Sequence, residues 1–429
     1  MEKFVIEGGV PLSGTIVPAG NKNAALPLLA CALLTEEAVV LHNVPRIRDT
    51  LEMCDLLAQL GVRVEWTDEN TVRLNAANVT TTSVDRDVAE KIRASFLVAG
   101  PLLARFGSAT MPPPGGDVIG RRRLDPHLDA FIALGAKVDH GRDITIEAPE
   151  TGLQAVDFFM DEPSVMGTEN AIMAAALTPG TTIIRNAASE PHVQDVARML
   201  VRMGAAIEGI SSNVLTVHGL SKLGGCEHSV SPDHIEIGSF MALAGVTGGE
   251  LRIKDTVPDD LRMIRLAFTR LGLHTEFDGD DMLVPGDQKL VMSRDHGGYQ
   301  IKVEDGPWPA FPADLTSIAV ALATQSEGSV LMFEKMFENR LIFTDKLVAM
   351  GANVILCDPH RAVISGATRL RGAKLVSPDI RAGMAMLIAA LCAEGQSEIG
   401  SIQQIDRGYE RIDERLRALG AKIERVEAT

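Results

Sequence analysis

The densest collection of chemically able side chains lies in the stretch Met-Pro-Pro-Pro-Gly-Gly-Asp-Val-Ile-Gly-Arg-Arg-Arg-Leu-Asp, residues 111–125. One carboxylate, Asp117, is followed by three adjacent guanidiniums, Arg121, Arg122 and Arg123. Arginine grips phosphate or carboxylate through paired donors, so this is an acid beside an anion clamp. Such a pairing suggests proton transfer to a phosphorylated substrate. Three prolines and three glycines interrupt the helix-like segments on either side. The stretch is therefore expected to be a loop with stiff ends and a mobile centre, and loops carry function more often than architecture.

Other candidates stand at the heads of apolar segments. In Pro18–Ala25, Lys22 and Asn23 open the first such segment, where free backbone amides favour an anion; an asparagine there can equally be a plain cap. Arg93 opens another, and without context a solvated arginine reads as well. Asp314 follows the proline-stiffened run Trp308-Pro-Ala-Phe-Pro-Ala and either caps the next helix or acts as a base toward a hydroxyl. Arg340, Arg381 and Arg407 fall at turn-to-helix joints of successive segments, so they are either scattered surface arginines or a cluster at one end of a domain.

The elements that must position these residues show themselves as a repeat. A helix-like end, a glycine and a strand-like run occur six times, around Gly61, Gly135, Gly204, Gly272, Gly351 and Gly420. Each glycine is expected to form a left-handed helix cap. Between them run small-residue helices such as Ala171-Ile-Met-Ala-Ala-Ala-Leu, which lack a polar face and should be buried all round. Six copies of roughly 70 residues, each mixing helix and strand, imply an α/β (α+β) fold with helices inside and sheets outside. The copies divide into two sets of three: residues 22–231, and a discontinuous domain of 1–21 with 232–429, in which the strand Lys3–Glu7 pairs with the end of the chain. A six-unit solenoid is the competing arrangement.

Composition narrows the function. A 429-residue chain with 46% hydrophobic residues can fill two cores, and with 4% aromatics it must do so with Ala, Leu, Val, Ile and Met. A net charge of −16 argues against a general nucleic-acid or anionic-membrane surface, so any anion site must be a focused cluster. The five cysteines are scattered, with no Cys-x-x-Cys pair, and read as buried hydrophobes rather than a disulfide framework or a zinc site. The start lacks the apolar run of a signal peptide, and no stretch of about 18 uncharged apolar residues is present. A cytoplasmic protein is expected.

Taken in order, several motifs resemble one family. Lys22-Asn23, the Pro-Gly-Gly-x-x-x-Gly loop with Arg122 and Asp125, Ser164-Val165 with Thr168-Glu169-Asn170, Asn186-Ala-Ala-x-Glu-Pro, Phe311-Pro-Ala-Asp, Phe337-Glu-Asn-Arg and Asp406-Arg-Gly-Tyr-Glu-Arg are similar to the enolpyruvyl transferases, in the bacterial branch that uses UDP-N-acetylglucosamine. The resemblance covers essentially the whole chain. It implies two domains of three repeats each, described as an inside-out α/β barrel, closing on substrate. It implies transfer of the enolpyruvyl group of phosphoenolpyruvate to the 3-hydroxyl of UDP-N-acetylglucosamine with release of phosphate, the committed step toward peptidoglycan, with no metal or cofactor.

By the same resemblance, Asp117 delivers a proton to the methylene carbon and Asp314 orients or deprotonates the hydroxyl. Lys22, Arg122 and Arg407 hold phosphoenolpyruvate and its leaving phosphate, with Arg340 and Arg381 toward its carboxylate. Asn23, Arg93, Arg122, Arg123, Leu124, Asp125, Pro126, Ser164, Val165 and Met336 match positions that line the nucleotide-sugar site. The shikimate-pathway transferase shares the fold but fits these motifs less well.

The chain also departs from the family pattern. Most members carry Cys where Asp117 stands, and a carboxylate is not alkylated in the same way by fosfomycin, so resistance is expected. Met166 replaces a glycine, Arg123 a proline and His234 an arginine, and Trp308 adds bulk beside the Asp314 turn. A paralogue with another hydroxyl acceptor, or a non-catalytic nucleotide-sugar sensor, are the alternatives. The second is disfavoured because a sensor needs no phosphoenolpyruvate clamp. The sequence does not set the oligomeric state. Because Asp117 must carry a proton when the reaction begins, turnover under saturating substrates is expected to peak on the acid side of neutrality; a pH–rate profile peaking well above neutrality would remove Asp117 from that role.

Overall fold

Local geometry is most uniform at the six repeat glycines. In the chain's structure, a computed structural model that describes residues 2–117 and 119–427, these glycines have φ between +97° and +110°. Each lies two residues beyond a helix, for example Gly61 after Arg48–Gln59 and Gly420 after Ile412–Ala418. A left-handed residue there ends the helix and releases the chain as a strand, and only glycine adopts it without steric cost.

Helices without a polar face are the second recurring element. Residues 167–176 of the helix Val165–Ala176 are all buried, as are residues 316–324 of Thr316–Gln325 and 380–391 of Ile380–Cys392. Small residues let such helices approach closely. A Cβ on Gly100, in the helix Ala99–Phe106, would stand 2.6 Å from the carbonyl oxygen of Asn170. Asn170, admitted at one such approach, is paired: it accepts from Gly100 N (2.8 Å) and donates to Phe96 O (2.9 Å).

The chain divides into two compact units: Met1–Ala19, Val118–Arg121 and Pro232–Thr429 form one, Gly20–Asp117 and Arg122–Ser231 the other. Each has its own apolar core. In the first, the helices His234–Thr247, Thr316–Gln325 and Ile380–Cys392 pack on one another beneath three four-stranded sheets. Its N-terminal strand Glu2–Glu7 runs antiparallel between Gln396–Gly400 and Lys422–Glu427, so the two chain ends share one sheet. The second unit carries two four-stranded sheets and one of three strands. Its strand Ala38–His42 pairs in parallel with Cys226–Ser229, which ties the unit's beginning to its end.

Helices inside and sheets outside is therefore the architecture, mixed helix and sheet as expected. The barrel part of the expected description does not apply: among the described residues the sheets remain six separate ones, each ending in edge strands, with no closed barrel. Removing Asn170 tests the buried pairing. Asn170→Ala orphans a buried N–H and a buried carbonyl, and is expected to lower unfolding free energy by about 2 kcal/mol in urea denaturation.

Candidate active site

In the unit Gly20–Asp117 with Arg122–Ser231, the helix Lys22–Cys31 begins under Asn21. The Asn21 side chain accepts from Asn23 N (2.8 Å) and Ala24 N (3.2 Å), so the cap is Asn21 and Asn23 is left half-buried beside it. Lys22 heads a helix with no solvent face. Its ammonium instead meets Asp49 at 2.8 Å, with both side chains at most 10% exposed.

Two glycines steer the loop that carries Asp117. Gly115 N donates to Ala89 O (3.0 Å), and a Cβ on Gly115 would fall 1.7 Å from Glu90 O. A Cβ on Gly116 (φ +112°) would meet Arg93 Cβ at 2.9 Å and Arg122 Nη1 at 3.5 Å. With no room for any side chain, the backbone passes directly over Arg93 and Arg122, and Asp117, half-buried, follows.

Arg93 holds the returning arm of the loop, donating from Nη2 to the carbonyls of Arg122 (2.9 Å) and Arg123 (3.1 Å). Its partners are dipoles rather than carboxylates, so burial, and then the Arg122 charge, bring the Arg93 guanidinium down to about 10. Arg123 turns to protein carboxylates: Asp161 at 2.7 Å, Glu162 at 3.3 Å and Asp125 at 3.4 Å. The hydrogen bonds to Asp161 and then to Asp125 raise its basicity. Leu124 packs against the core, and Pro126 lies where a Cβ on Gly167 would touch it at 3.0 Å. Ser164 caps the helix Val165–Ala176 by accepting from Gly167 N (3.2 Å). Arg93, 122–126 and 161–165 thus form one contiguous wall.

The other unit gathers the second set. Asp314 Oδ1 accepts from Arg340 Nη2 (2.9 Å), and Oδ2 from Arg381 Nε (3.1 Å) and Nη2 (3.0 Å). Both guanidiniums are buried, with side chains 4% and 5% exposed. Burial opposes the charge of Arg381, but Asp314 and Tyr409 outweigh it and hold the guanidinium above its usual range. Arg381 lies over the Tyr409 ring (5.5 Å to the centroid) and Arg340 over Phe337 (5.1 Å). Arg381 Nη1 and Arg340 Nε have no hydrogen-bond acceptor. A part-exposed carboxylate held by two buried guanidiniums that carry spare donors is able to bind an anion and to orient a hydroxyl beside it.

His234 begins the buried helix His234–Thr247 and packs edge-on against Trp308 (6.1 Å). Burial, then Arg381, push it down to about 4, so it is a neutral ring at physiological pH where the family pattern has a cation. Met336 is 38% exposed in the turn before Arg340. Arg407 is half-buried and donates to Gln404 Oε1 (3.1 Å).

The three arginines do not occupy equivalent joints. Arg340 and Arg407 each stand seven residues beyond a strand end, Phe333 and Gly400, whereas Arg381 is the second residue of a buried helix. Asp314 draws Arg340 and Arg381 together from these unlike positions. Sequence reading passed over Asp49, Asp161, Glu162 and Tyr409. For Asp49 the signal was a carboxylate after the basic pair Arg46 and Arg48, and for Tyr409 its place inside a motif already singled out.

With this geometry in hand, comparison with known proteins is informative. A sequence model of the family described as EPSP synthase (3-phosphoshikimate 1-carboxyvinyltransferase) matches residues 6–416. A UDP-N-acetylglucosamine 1-carboxyvinyltransferase from Bradyrhizobium diazoefficiens is 56% identical, covering 99% of this chain and 98% of the relative. One of the same description from Treponema denticola is 54% identical over 99% of each. Among solved structures, the enolpyruvyl transferase NikO from Streptomyces tendae superposes with a TM-score of 0.87 at 22% identity, over 100% of this chain and 99% of that one. An EPSP synthase from Acinetobacter baumannii gives 0.76 at 17% identity over 100% of both. The distant structures share the fold, and the full-length relatives share about half of the residues.

Asp314→Ala tests the ion cluster apart from any reaction. It leaves two buried guanidiniums without their counter-charge, and a loss of about 3 kcal/mol in unfolding free energy is expected by denaturant titration; an unchanged midpoint would show that the cluster is compensated elsewhere.

Proposed function

Since the chain belongs to the UDP-N-acetylglucosamine 1-carboxyvinyltransferase family of enolpyruvyl transferases, we propose that the two clusters divide its reaction between them. The enzyme transfers the enolpyruvyl group of phosphoenolpyruvate to the 3-hydroxyl of UDP-N-acetylglucosamine, releasing phosphate, in peptidoglycan synthesis. Asp117 gives its proton to the methylene carbon of phosphoenolpyruvate. The hydroxyl oxygen adds to the neighbouring carbon while Asp314 orients it and takes its proton. The tetrahedral adduct then returns a proton from the new methyl group to the Asp117 carboxylate and expels phosphate, which restores the double bond.

Charge moves onto the phosphate as it leaves, and Lys22, Arg122 and Arg407 stabilise it there. Arg340 and Arg381 turn their spare donors to the substrate carboxylate. Arg93, with 122–126, Ser164, Val165 and Met336, holds the nucleotide sugar. Arg123 contributes by bracing that wall through its three carboxylates. The neutral His234 and the bulky Met166 tune the acceptor site without removing any charged group this chemistry uses. A cytoplasmic location is proposed with this activity; all five cysteines are free thiols, and no helix among the described residues is long and apolar enough to cross a membrane.

The observation that carries the assignment of the acid is the contact geometry of Gly116, which brings the loop onto Arg93 and Arg122 one residue before Asp117. Phosphate release from phosphoenolpyruvate, with UDP-N-acetylglucosamine as acceptor, tests it. Asp117→Asn is expected to cut the rate by about 10²-fold or more. Wild type is expected to keep its rate after incubation with fosfomycin, while Asp117→Cys keeps turnover and becomes sensitive. A wild type that binds the nucleotide sugar but releases no phosphate would sink the reaction, and an active Asp117→Asn would sink the acid.

A further inference from the structure

Two carboxyl groups lie inside the unit that holds Asp314 and have no part in the steps above. Asp305 opens the turn that ends in Asp314, and Glu334 opens the turn that ends in Arg340. Glu334 is 0% exposed and Asp305 1%. Each commits one oxygen to backbone. Glu334 Oε1 accepts from Met336 N (3.3 Å) and Phe337 N (3.1 Å), and Asp305 Oδ1 accepts from Lys335 N. The remaining oxygens, Glu334 Oε2 and Asp305 Oδ2, have no donor. Arg340 Nε stands 3.9 Å from Glu334 Oε2, too far for a hydrogen bond. Two ionised carboxylates side by side in a dry interior would repel and leave both oxygens unsatisfied; one shared proton removes a charge and supplies the missing donor.

We propose that Glu334 is a positioning residue held as a neutral carboxylic acid beside Asp305, and that its neutrality keeps the Arg340 guanidinium committed to Asp314 and to the substrate carboxylate. The proposal rests on the reaction assigned above. Burial, and then the Asp305 charge, push Glu334 up to about 8 against the opposing pulls of Arg340 and of the neighbouring Thr316 hydroxyl. The charged and titratable groups around it are few. Asp305 follows the strand Ile301–Glu304, and Lys335 and Arg340 belong to its own turn. His360, from the turn between Asn353–Asp358 and Arg361–Gly366, bonds only the Glu334 backbone, through its carbonyl (2.8 Å) and Nδ1 (2.7 Å). Asp314 lies beyond Arg340.

Once ionised, Glu334 would compete with Asp314 for Arg340 from the other side. The 334–340 turn would then lose the orientation that serves phosphoenolpyruvate. The neutral acid acts at a distance, by leaving the guanidinium nowhere else to go.

Glu334→Gln keeps a neutral side chain of the same shape, and the test compares it with wild type. In wild type, kcat/KM for phosphoenolpyruvate is expected to fall about tenfold per pH unit once the acid ionises, through a rise in KM rather than a fall in kcat. In Glu334→Gln that alkaline fall should be absent, with activity near pH 6.5 within about threefold of wild type. Asp117 is common to both proteins, so it cancels from the difference. An alkaline limb that survives in Glu334→Gln overturns the proposal, as does a folded variant inactive at every pH, since that would mean the anion is required.

A second measurement needs no turnover. An acid whose folded pKa is raised stabilises the fold fully below its unfolded pKa, and that contribution is lost as pH rises through the folded value. Glu334→Gln should therefore gain in thermal stability relative to wild type between about pH 4.5 and about pH 8. A difference independent of pH overturns the proposal. If wild type shows no transfer to UDP-N-acetylglucosamine while the stability difference follows pH as stated, the assigned reaction fails and the neutral Glu334 stands.

Discussion

The constraint on which the rest of this structure depends is the burial of helices that have no polar face. Once Val165–Ala176, Thr316–Gln325 and Ile380–Cys392 are enclosed, an ionisable group inside them incurs a large desolvation cost to carry charge, and burial raises Glu169, the one carboxyl within these three helices, well above its ordinary range. Charge can therefore stand only at helix starts and in the turns that lead into them. Lys22, Asp314 and Arg381 all sit there. The fold's own packing rule thus sorts these charged side chains to the ends of its elements.

Each cation at such a place then needs a partner, and the partners differ in kind. Lys22 has a carboxylate, Asp49, held nearly dry. Arg93 has only carbonyl dipoles, and burial brings its guanidinium down to about 10, still charged near neutrality. Arg340 and Arg381 share one carboxylate between them, leaving a positive excess with unused donors. These are three grades of readiness to accept an external anion, within a protein whose net charge is −16. Acidity over the whole surface and focused cations inside are compatible because buried charges are little screened by salt, while those across the surface are.

Arg123 shows how a position matched by resemblance can acquire a different physical role. Its guanidinium is engaged by Asp161, Glu162 and Asp125, all partly exposed, so its contribution is an orienting brace that salt can loosen. His234 is a comparable case: the ring keeps the volume near Trp308 but, uncharged, leaves Arg381 to Asp314 and Tyr409.

By itself the sequence determined the repeat, because a left-handed glycine two residues past a helix is a local requirement that no distant contact can replace. It also determined which helices are buried, since Ala171–Ala176 has no residue able to face water, and which loop carries the acid and its arginines. The relation of Arg340, Arg381 and Arg407 was misjudged from sequence. The repeat makes Arg340 and Arg407 equivalent, yet it is Arg340 and Arg381 that meet, because Asp314 lies within reach of both. Only the tertiary structure decided such pairings, and with them Lys22 with Asp49, Arg123 with Asp161, and Glu334 beside Asp305. Each joins residues from separate segments, and the energy of a buried charge depends on which counter-charge packing delivers to it, a quantity absent from any local stretch of chain.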